Sequence, residues 1–191
     1  MSAKQQNCLI DIEERIFYLS DSIDNNSVGI INFNILRIIN SDNKKRQEQK
    51  NFKEKPIKLF INSFGGSVYD MWSLVDIILN SSTPIYTYCT GYAMSSGFLI
   101  FLAGHKRFTT KNTTILYHQL SSWNSGKFLD IAQNVEELTR LQSEIEKYVS
   151  SRTKITQNML KNNRIKKIDW FIHSEDFEKY NIATIINNFD F

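Results

Sequence analysis

Apolar residues along the chain occur in short runs typical of strands and in longer, periodic stretches typical of helices. Residues 57–62 and 84–90 form short apolar runs, and a stretch with helical spacing follows each of them, from Val68 and from Phe98. This alternation of strand and helix predicts an α/β fold, a parallel sheet with helices on its faces.

Further patterns extend this prediction in both directions along the chain. Apolar residues crowd positions 30–39 and predict a helix buried on more than one side, whereas the Lys- and Arg-rich residues 41–55 predict an exposed loop or a frayed helix end. Residues 106–110 and 114–119 predict a pair of strands. Apolar residues three and four apart from Phe128 to Tyr148 predict an amphipathic helix of about six turns, packed on its own domain or on a partner helix.

Composition narrows the classes of protein that fit. The 191 residues carry a net charge of only +3, and neither linker nor repeat divides them, so we expect one domain over residues 1–191 and no nucleic-acid partner. Two cysteines, Cys8 and Cys89, give neither a disulfide framework nor metal-ligand spacing. No apolar run reaches the roughly 20 residues of a membrane span, and the start of the chain lacks a signal-peptide pattern. We therefore expect a cytoplasmic protein without a membrane partner.

Candidate chemistry centres on residues 91–97, which join a predicted strand to a predicted helix. Ser95 in this stretch would lie at a helix N-terminus, where backbone N–H groups can stabilise an oxyanion. A plain N-cap serine is the alternative. Gly65 and Gly66, at the preceding strand-to-helix turn, fit an oxyanion-binding turn or an ordinary tight turn, and no phosphate-binding glycine pattern is present.

A serine nucleophile requires a base, and the base requires a group that orients it. The chain contains three histidines, and His118 ends a strand-like run, where it is either an ordinary strand-end residue or a base. Ser95, His118 and a later carboxylate would supply the required set.

The chain resembles the proteolytic subunit of the Clp protease over about residues 15–186. Four motifs carry the resemblance, in family order: residues 61–67 (INSFGGS), 91–97 (GYAMSSG), 118–119 (HQ) and 169–174 (DWFIHS), the last followed by 178–182 (EKYNI).

The resemblance implies a serine endopeptidase with the crotonase-like ββα superhelix and a protruding handle at about residues 119–151. Ser95 matches the nucleophile, His118 the general base and Asp169 the orienting carboxylate. The backbone N–H groups of Gly66 and Ser96 match the oxyanion hole. The residues that match the two rims of the substrate groove are Gly65, Ser67, Val68, Gln119 and Ser121.

The resemblance also implies an assembly. Members form heptameric rings that stack into fourteen-subunit barrels, degrade extended polypeptides inside the chamber, need no metal or organic cofactor, and use ATP through a separate AAA+ unfoldase. Phe60 matches an aromatic position of the unfoldase-docking pocket.

Several departures from the family pattern keep alternatives open. Only a short segment, residues 1–14, stands where members carry axial loops, and Lys167-Ile168 replaces a pair that links rings. Phe64 replaces a usual proline, and Trp123 stands in the handle strand. A non-catalytic or partner-activated ring subunit and a phage head-maturation protease are the alternatives. An acyl-CoA hydratase or isomerase would share the fold but not need these residues. The Asn- and Lys-rich composition suggests a divergent, phage-encoded or otherwise specialised member.

Overall fold

The computed structural model describes residues 8–189, so the first half of the short N-terminal segment lies outside the described residues. The strands are β1 (Cys8–Asp11), β2 (Ile16–Leu19), β3 (Ile57–Ile61), β4 (Ile85–Cys89), β5 (Tyr92–Met94), β6 (Lys106–Thr109), β7 (Thr114–Tyr117), β8 (Trp170–His173) and β9 (Thr184–Ile185). The helices are α1 (Asn25–Glu48), α2 (Val68–Leu79), α3 (Ser96–Ala103), α4 (Phe128–Arg152), α5 (Gln157–Ile165) and α6 (Ser174–Phe177). Within this range, no helix has the length and apolar character to span a membrane.

Six strands form the larger sheet in the order β1-β2-β3-β4-β6-β9. All neighbours are parallel except β1, which pairs antiparallel with β2 at one edge. Alternate residues of β3 show how the sheet is packed, since Ile57, Leu59 and Ile61 are buried in the core and Lys58 and Phe60 are half-buried on the other face. The α/β fold with a parallel sheet is confirmed.

A smaller sheet has the order β5-β7-β8, with β7 parallel to β5 and antiparallel to β8. The prediction that residues 106–110 and 114–119 pair with each other is therefore wrong, because β6 pairs with β4 in the larger sheet. The chain changes sheets at Thr113 and Thr114. The Thr113 hydroxyl donates to the Cys89 carbonyl at 2.9 Å, and the Thr114 N–H donates to the Gly91 carbonyl at 2.9 Å.

Helix α1 differs from its prediction at its end and in its burial. It continues to Glu48 because Arg46 donates to the Ser82 carbonyl at 3.0 Å and the fully buried Asp42 receives two hydrogen bonds from Arg15. Residues 41–48 are thus an anchored helix rather than a frayed end. The helix is also buried on one face only, since Phe33 is 63% exposed.

Helix α4 divides into an inner and an outer half. Leu141, Ile145 and Val149 of the inner half are buried, and the Tyr148 hydroxyl donates to the Leu99 carbonyl of α3 at 3.0 Å. Arg152 donates to the last carbonyls of α3, which are orphan acceptors at a helix C-terminus. The predicted helix is therefore confirmed, and its inner half fixes α3, the helix that begins beside Ser95.

Candidate active site

Ser95 lies at the turn between β5 and α3, where its φ of 53° and ψ of −126° place a non-glycine residue in a rarely occupied region. It occupies the N-cap position of α3, yet its side chain makes no capping hydrogen bond. The plain N-cap interpretation is therefore wrong. A strained strand-to-helix turn that presents a free serine hydroxyl is the arrangement of a nucleophile elbow.

The surrounding backbone holds Ser95 in this conformation. Its N–H donates to the Leu116 carbonyl of β7 at 2.9 Å, and the N–H of the preceding Met94 donates to the Ser63 carbonyl at 3.0 Å. On the other side, a side chain on Gly97 would approach the Ser63 carbonyl oxygen to 2.9 Å, so only glycine fits there. All residues of α3 are buried, which fixes the helix that follows.

The register of the smaller sheet determines where His118 and Asp169 lie. In the parallel pair, Met94 of β5 stands opposite Leu116 of β7, so Ser95 and residues 117–118 leave the sheet at the same edge. In the antiparallel pair, Tyr117 stands opposite Trp170. His118 follows Tyr117 and Asp169 precedes Trp170, so the two residues leave this last pair of the ladder at the same edge. The strand order β5-β7-β8 therefore places Ser95 after β5, His118 after β7 and Asp169 before β8, all at one edge of the smaller sheet.

The three side chains lie at one edge without being joined. In the part of the chain that the structure describes, neither a hydrogen bond nor an ion pair links Ser95, His118 and Asp169 to one another. His118 is half-buried and Asp169 is exposed. Catalytic hydrogen bonds are often long in a resting enzyme and tighten when substrate binds.

Gly66 and Ser96 supply backbone groups next to Ser95. The Gly65 carbonyl accepts from the Ile23 N–H at 2.9 Å, and the Ser67 N–H donates to the Ile23 carbonyl at 2.7 Å. Because peptide groups alternate along an extended chain, the N–H and C=O of Gly66 point the opposite way. There the Gly66 carbonyl accepts from the Ser96 hydroxyl at 3.0 Å.

The N–H of Ser96 is also turned towards this region. It belongs to the first residue of α3, where N–H groups have no partner within the helix, and the helix dipole favours negative charge there. The N–H groups of Gly66 and Ser96 can therefore serve one oxyanion.

A small cleft of about 60 Å³ collects most of the predicted site residues. Those that line it are Ser95, His118, Gly66, Ser96, Val68, Gln119 and Ser121. Three predicted residues lie outside the lining: Gly65 is buried against Ser95, Ser67 caps α2 by accepting from the Asp70 N–H at 3.3 Å, and Asp169 is exposed one residue before β8.

Four further residues line the cleft without having been predicted: Leu99, Tyr117, Leu120 and Ile145. Leu99 and Ile145 follow helical spacing, which identifies a buried residue but not the cavity beside it. Burial and the nearby Glu146 carboxylate raise the pKa of Tyr117 to about 12, so its hydroxyl stays neutral at ordinary pH. Tyr117 therefore lines the cleft without acting as an acid or a base.

Neither metal nor thiol chemistry is supported by the neighbouring side chains. Residues 8–189 contain no group of three or more His, Cys, Asp or Glu residues that could hold a metal ion. Burial raises the pKa of the Cys89 thiol to about 12, which removes it as a nucleophile at neutral pH.

The sequence was compared with known protein families, and one family, described as Clp protease, matches residues 10–188. The match includes the turn at Gly65 and Gly66, Ser95, His118 and Asp169. It spans nearly the whole chain, and the chain therefore belongs to the Clp protease family.

Proposed function

We propose that the protein is a serine endopeptidase in which Ser95, His118 and Asp169 form the catalytic triad. One observation carries the proposal: the register of the smaller sheet brings these residues to one edge in this order, with Ser95 in a strained turn and its hydroxyl uncapped. Membership of the Clp protease family supports the same reaction.

The reaction would be acyl transfer in two steps. His118 accepts the hydroxyl proton as the Ser95 oxygen bonds to the peptide carbonyl carbon, and the N–H groups of Gly66 and Ser96 stabilise the oxyanion that forms. The C–N bond then breaks, and His118 gives its proton to the leaving amine. In the second step water attacks the ester, His118 again carries the proton, and the acid and free Ser95 are released. Asp169 orients the imidazole and stabilises its charged form.

The substrate would be an unfolded or extended polypeptide. Gly66 and Val68 offer backbone groups on one rim of the groove, where Ser67 uses its own N–H and carbonyl to bond Ile23 and Met71. Gln119 and Ser121 offer them on the other rim, an arrangement suited to strand addition. Gly65 brings the first rim close to the nucleophile, since even a Cβ there would lie 2.8 Å from the Ser95 Cβ. Leu99 and Ile145 give the cleft an apolar floor.

We further propose a single domain with the crotonase-like ββα superhelix and a handle at about residues 119–151. Such subunits would form heptameric rings, alone or stacked as a fourteen-subunit barrel, in the cytoplasm. The chemistry above needs no metal or organic cofactor, and ATP would enter only through an AAA+ unfoldase.

An aromatic row on the larger sheet supports unfoldase docking. Tyr18, Phe60, Tyr88 and Phe108 stand opposite one another on four successive strands, and their ring centroids are 5.9, 4.8 and 5.0 Å apart. Phe60, which matches the family's docking pocket, lies half-buried within this row.

A partner-activated or non-catalytic ring subunit is the second candidate. The observation that favours it is the lack of a hydrogen bond between His118 and Asp169 in residues 8–189. A phage head-maturation protease would use the same triad and differ in its substrate.

Hydrolysis of an unstructured fluorogenic peptide by the assembled protein tests the proposal. We expect hydrolysis by the wild type and a loss of about 10⁴-fold or more in Ser95→Ala, because the nucleophile is removed. Ser73→Ala, an exposed serine on α2, is the matched control and should keep full activity. An inactive wild type that becomes active when a purified unfoldase is added would favour the partner-activated candidate. Equal hydrolysis by wild type and Ser95→Ala would reject the triad.

A further inference from the structure

A polar network of Gln142, Glu146 and Arg164 lies beside the cleft but outside its lining, and the Arg164 side chain is 38% exposed whereas the other two are buried. Gln142 and Glu146 of α4 are only 8% and 9% exposed. The Gln142 Nε2 donates to the Glu146 Oε1 at 3.0 Å, and the same oxygen accepts from the Nε of Arg164 on α5 at 2.7 Å. The network thus joins the handle helix to the helix that precedes Asp169.

Gln142 also holds the chain on both sides of His118. Its Oε1 accepts from the backbone N–H of Leu120 at 2.8 Å, and its Nε2 donates to the hydroxyl of Tyr117 at 3.3 Å. Tyr117 immediately precedes the histidine, and Leu120 follows two residues after it. The position of His118 is therefore tied to one side chain of α4.

The same network reaches Asp169 through a short, fixed turn. Arg164 lies five residues before Asp169, and its carbonyl accepts from the Lys167 N–H at 3.1 Å. The Ile168 N–H donates to the Asn163 carbonyl at 2.9 Å, and Lys167 adopts a φ of 53°. A shift of Arg164 would therefore move the backbone that carries Asp169.

The composition of the network favours positioning over stability. A buried carboxylate and a buried amide lose their hydration, as Glu146 and Gln142 do here, and apolar side chains of similar size often give an equally stable core. Their value lies in fixing one arrangement of the groups they bind. Here those groups are the segments that carry His118 and Asp169.

We propose that Gln142, Glu146 and Arg164 act together as positioning residues that set His118 against Asp169. The inference deepens the proposed peptidase function and rests on it. Gln142 is the central member, because it alone among the three contacts the segment around His118. None of the three contacts substrate in this account, so none is a catalytic residue.

The direct test is Gln142→Leu, with Gln133→Leu on the exposed side of the same helix as its matched control. Both variants remove one amide from α4, but Gln133 has no part in the network. For Gln142→Leu we expect kcat for peptide hydrolysis to fall by about 10²-fold with KM nearly unchanged, because misplacement of about 1 Å has that effect on the reacting groups. Unchanged kcat in this variant would overturn the proposal.

A second variant separates positioning from folding. The triple variant Gln142→Leu/Glu146→Leu/Arg164→Met replaces the network by apolar side chains and leaves only the Leu120 N–H and the Tyr117 hydroxyl without their partner, so it should unfold within roughly 10 °C of the wild type. We expect its kcat to match that of Gln142→Leu, since the three residues act as one unit. Recovery of wild-type kcat in this well-folded variant would overturn the positioning role.

A readout that needs no activity distinguishes failure of this inference from failure of the peptidase proposal. Hydrogen exchange in Gln142→Leu should be faster at residues 117–121 and 165–170 and unchanged in the larger sheet. If the wild type proved inactive, the peptidase proposal would fail, but this local exchange would still support the network's role in holding the two segments. Exchange identical to wild type at both segments would overturn that role.

Discussion

Ser95 holds a backbone conformation that L-residues rarely adopt, and its neighbours impose it. The Leu116 carbonyl holds its N–H, and close packing restricts Gly97 to glycine. Such strain persists only where the surroundings over-determine it, and strained residues cluster at active sites, which supports the nucleophile role proposed for Ser95. Gly66 completes the arrangement, because its peptide group points towards the serine while its neighbours bind Ile23.

Substitution of Gly66 tests the oxyanion site at a single residue. A Cβ at Gly66 would clash with the Ile23 carbonyl oxygen, and the residue has a φ of 152°, so Gly66→Ala must shift the backbone N–H. We expect kcat/KM for peptide hydrolysis to fall by about 10²-fold or more, the effect of losing one oxyanion donor.

Gly29→Ala is the control for this substitution. A Cβ at Gly29 would meet nothing within 4 Å in helix α1, and alanine there should stabilise the fold by about 0.5–1 kcal/mol without changing the rate. A Gly66→Ala enzyme with wild-type kcat/KM would contradict the assigned oxyanion role.

For individual residues, the sequence identified candidate active-site residues but not the geometry in which they lie. Residue type and position beside a predicted strand made Ser95 and His118 candidates, and the resemblance to the Clp protease family then gave both their roles and added Asp169. Whether the Ser95 side chain would cap α3 depended on ψ and φ at one residue, which no local pattern specifies. The role of Gln142 was equally hidden, because a single polar residue within an amphipathic stripe gives no sign of what faces it.

Among the elements, α1 shows how a buried ion pair fixes a helix against the larger sheet. Two nitrogens of Arg15 donate to the two carboxylate oxygens of Asp42 at 2.7 Å, and the Thr83 hydroxyl donates to Asp42 at 2.9 Å. Burial opposes the charged form of Asp42, but these hydrogen bonds and the Arg15 charge lower the pKa of this carboxyl overall.

Removal of one partner should therefore cost stability. We expect Arg15→Met to lower the free energy of unfolding by about 3–5 kcal/mol, because it leaves the Asp42 charge buried without its partner. Chemical denaturation at fixed protein concentration measures this loss. Arg37→Met, on the exposed face of α1, the helix that carries Asp42, should change the free energy of unfolding by less than about 0.5 kcal/mol.

The same pair predicts a dependence of stability on pH. Because the native pKa of Asp42 is lowered, its contribution is present above the ordinary aspartate pKa of about 4 and is lost as the pH falls through the native value. The difference in stability between wild type and Arg15→Met should therefore shrink below about pH 4. A constant difference down to the acid transition would contradict this account of Asp42.

Individual helices and strands were predictable from the local periodicity of apolar residues. The pairing of strands was not predictable, because it depends on contacts between distant residues. Helices α2, α3 and α4 follow their apolar spacing closely. The predicted pairing of 106–110 with 114–119 failed because Thr113 and Thr114 bond to the chain after β4, a contact between distant residues. The end of α1 was missed for a similar reason, since Asp42 and Arg46 find their partners outside the helix.

For the whole molecule, the outer half of α4 is the feature that a monomer leaves unexplained. Phe128, Leu129 and Val135 are exposed there, with Val135 52% exposed, although all three lie on a helix with a regular apolar stripe. Exposed apolar area of this kind marks a protein–protein interface. In the proposed assembly, these exposed residues would lie in the contact between two stacked rings.

A charge placed on this apolar stripe tests whether it forms the contact between rings. Val135→Asp should shift sedimentation from the larger assembly towards single rings, because it would bury an unpaired carboxylate at the contact. Asn134→Asp adds the same charge at the adjacent exposed position and should leave the assembly unchanged. Sedimentation of Val135→Asp identical to that of the wild type would show that rings, where present, do not stack through this face.

The proposed peptidase function requires Ser95 to be an activated nucleophile. Labelling of the assembled protein with a fluorophosphonate probe, followed by peptide mapping of the modified residue, tests it most directly. We expect one modified serine, Ser95, with labelling abolished in Ser95→Ala and strongly slowed in His118→Ala. Labelling at another serine, or a wild type that stays unmodified while assembled, would contradict it.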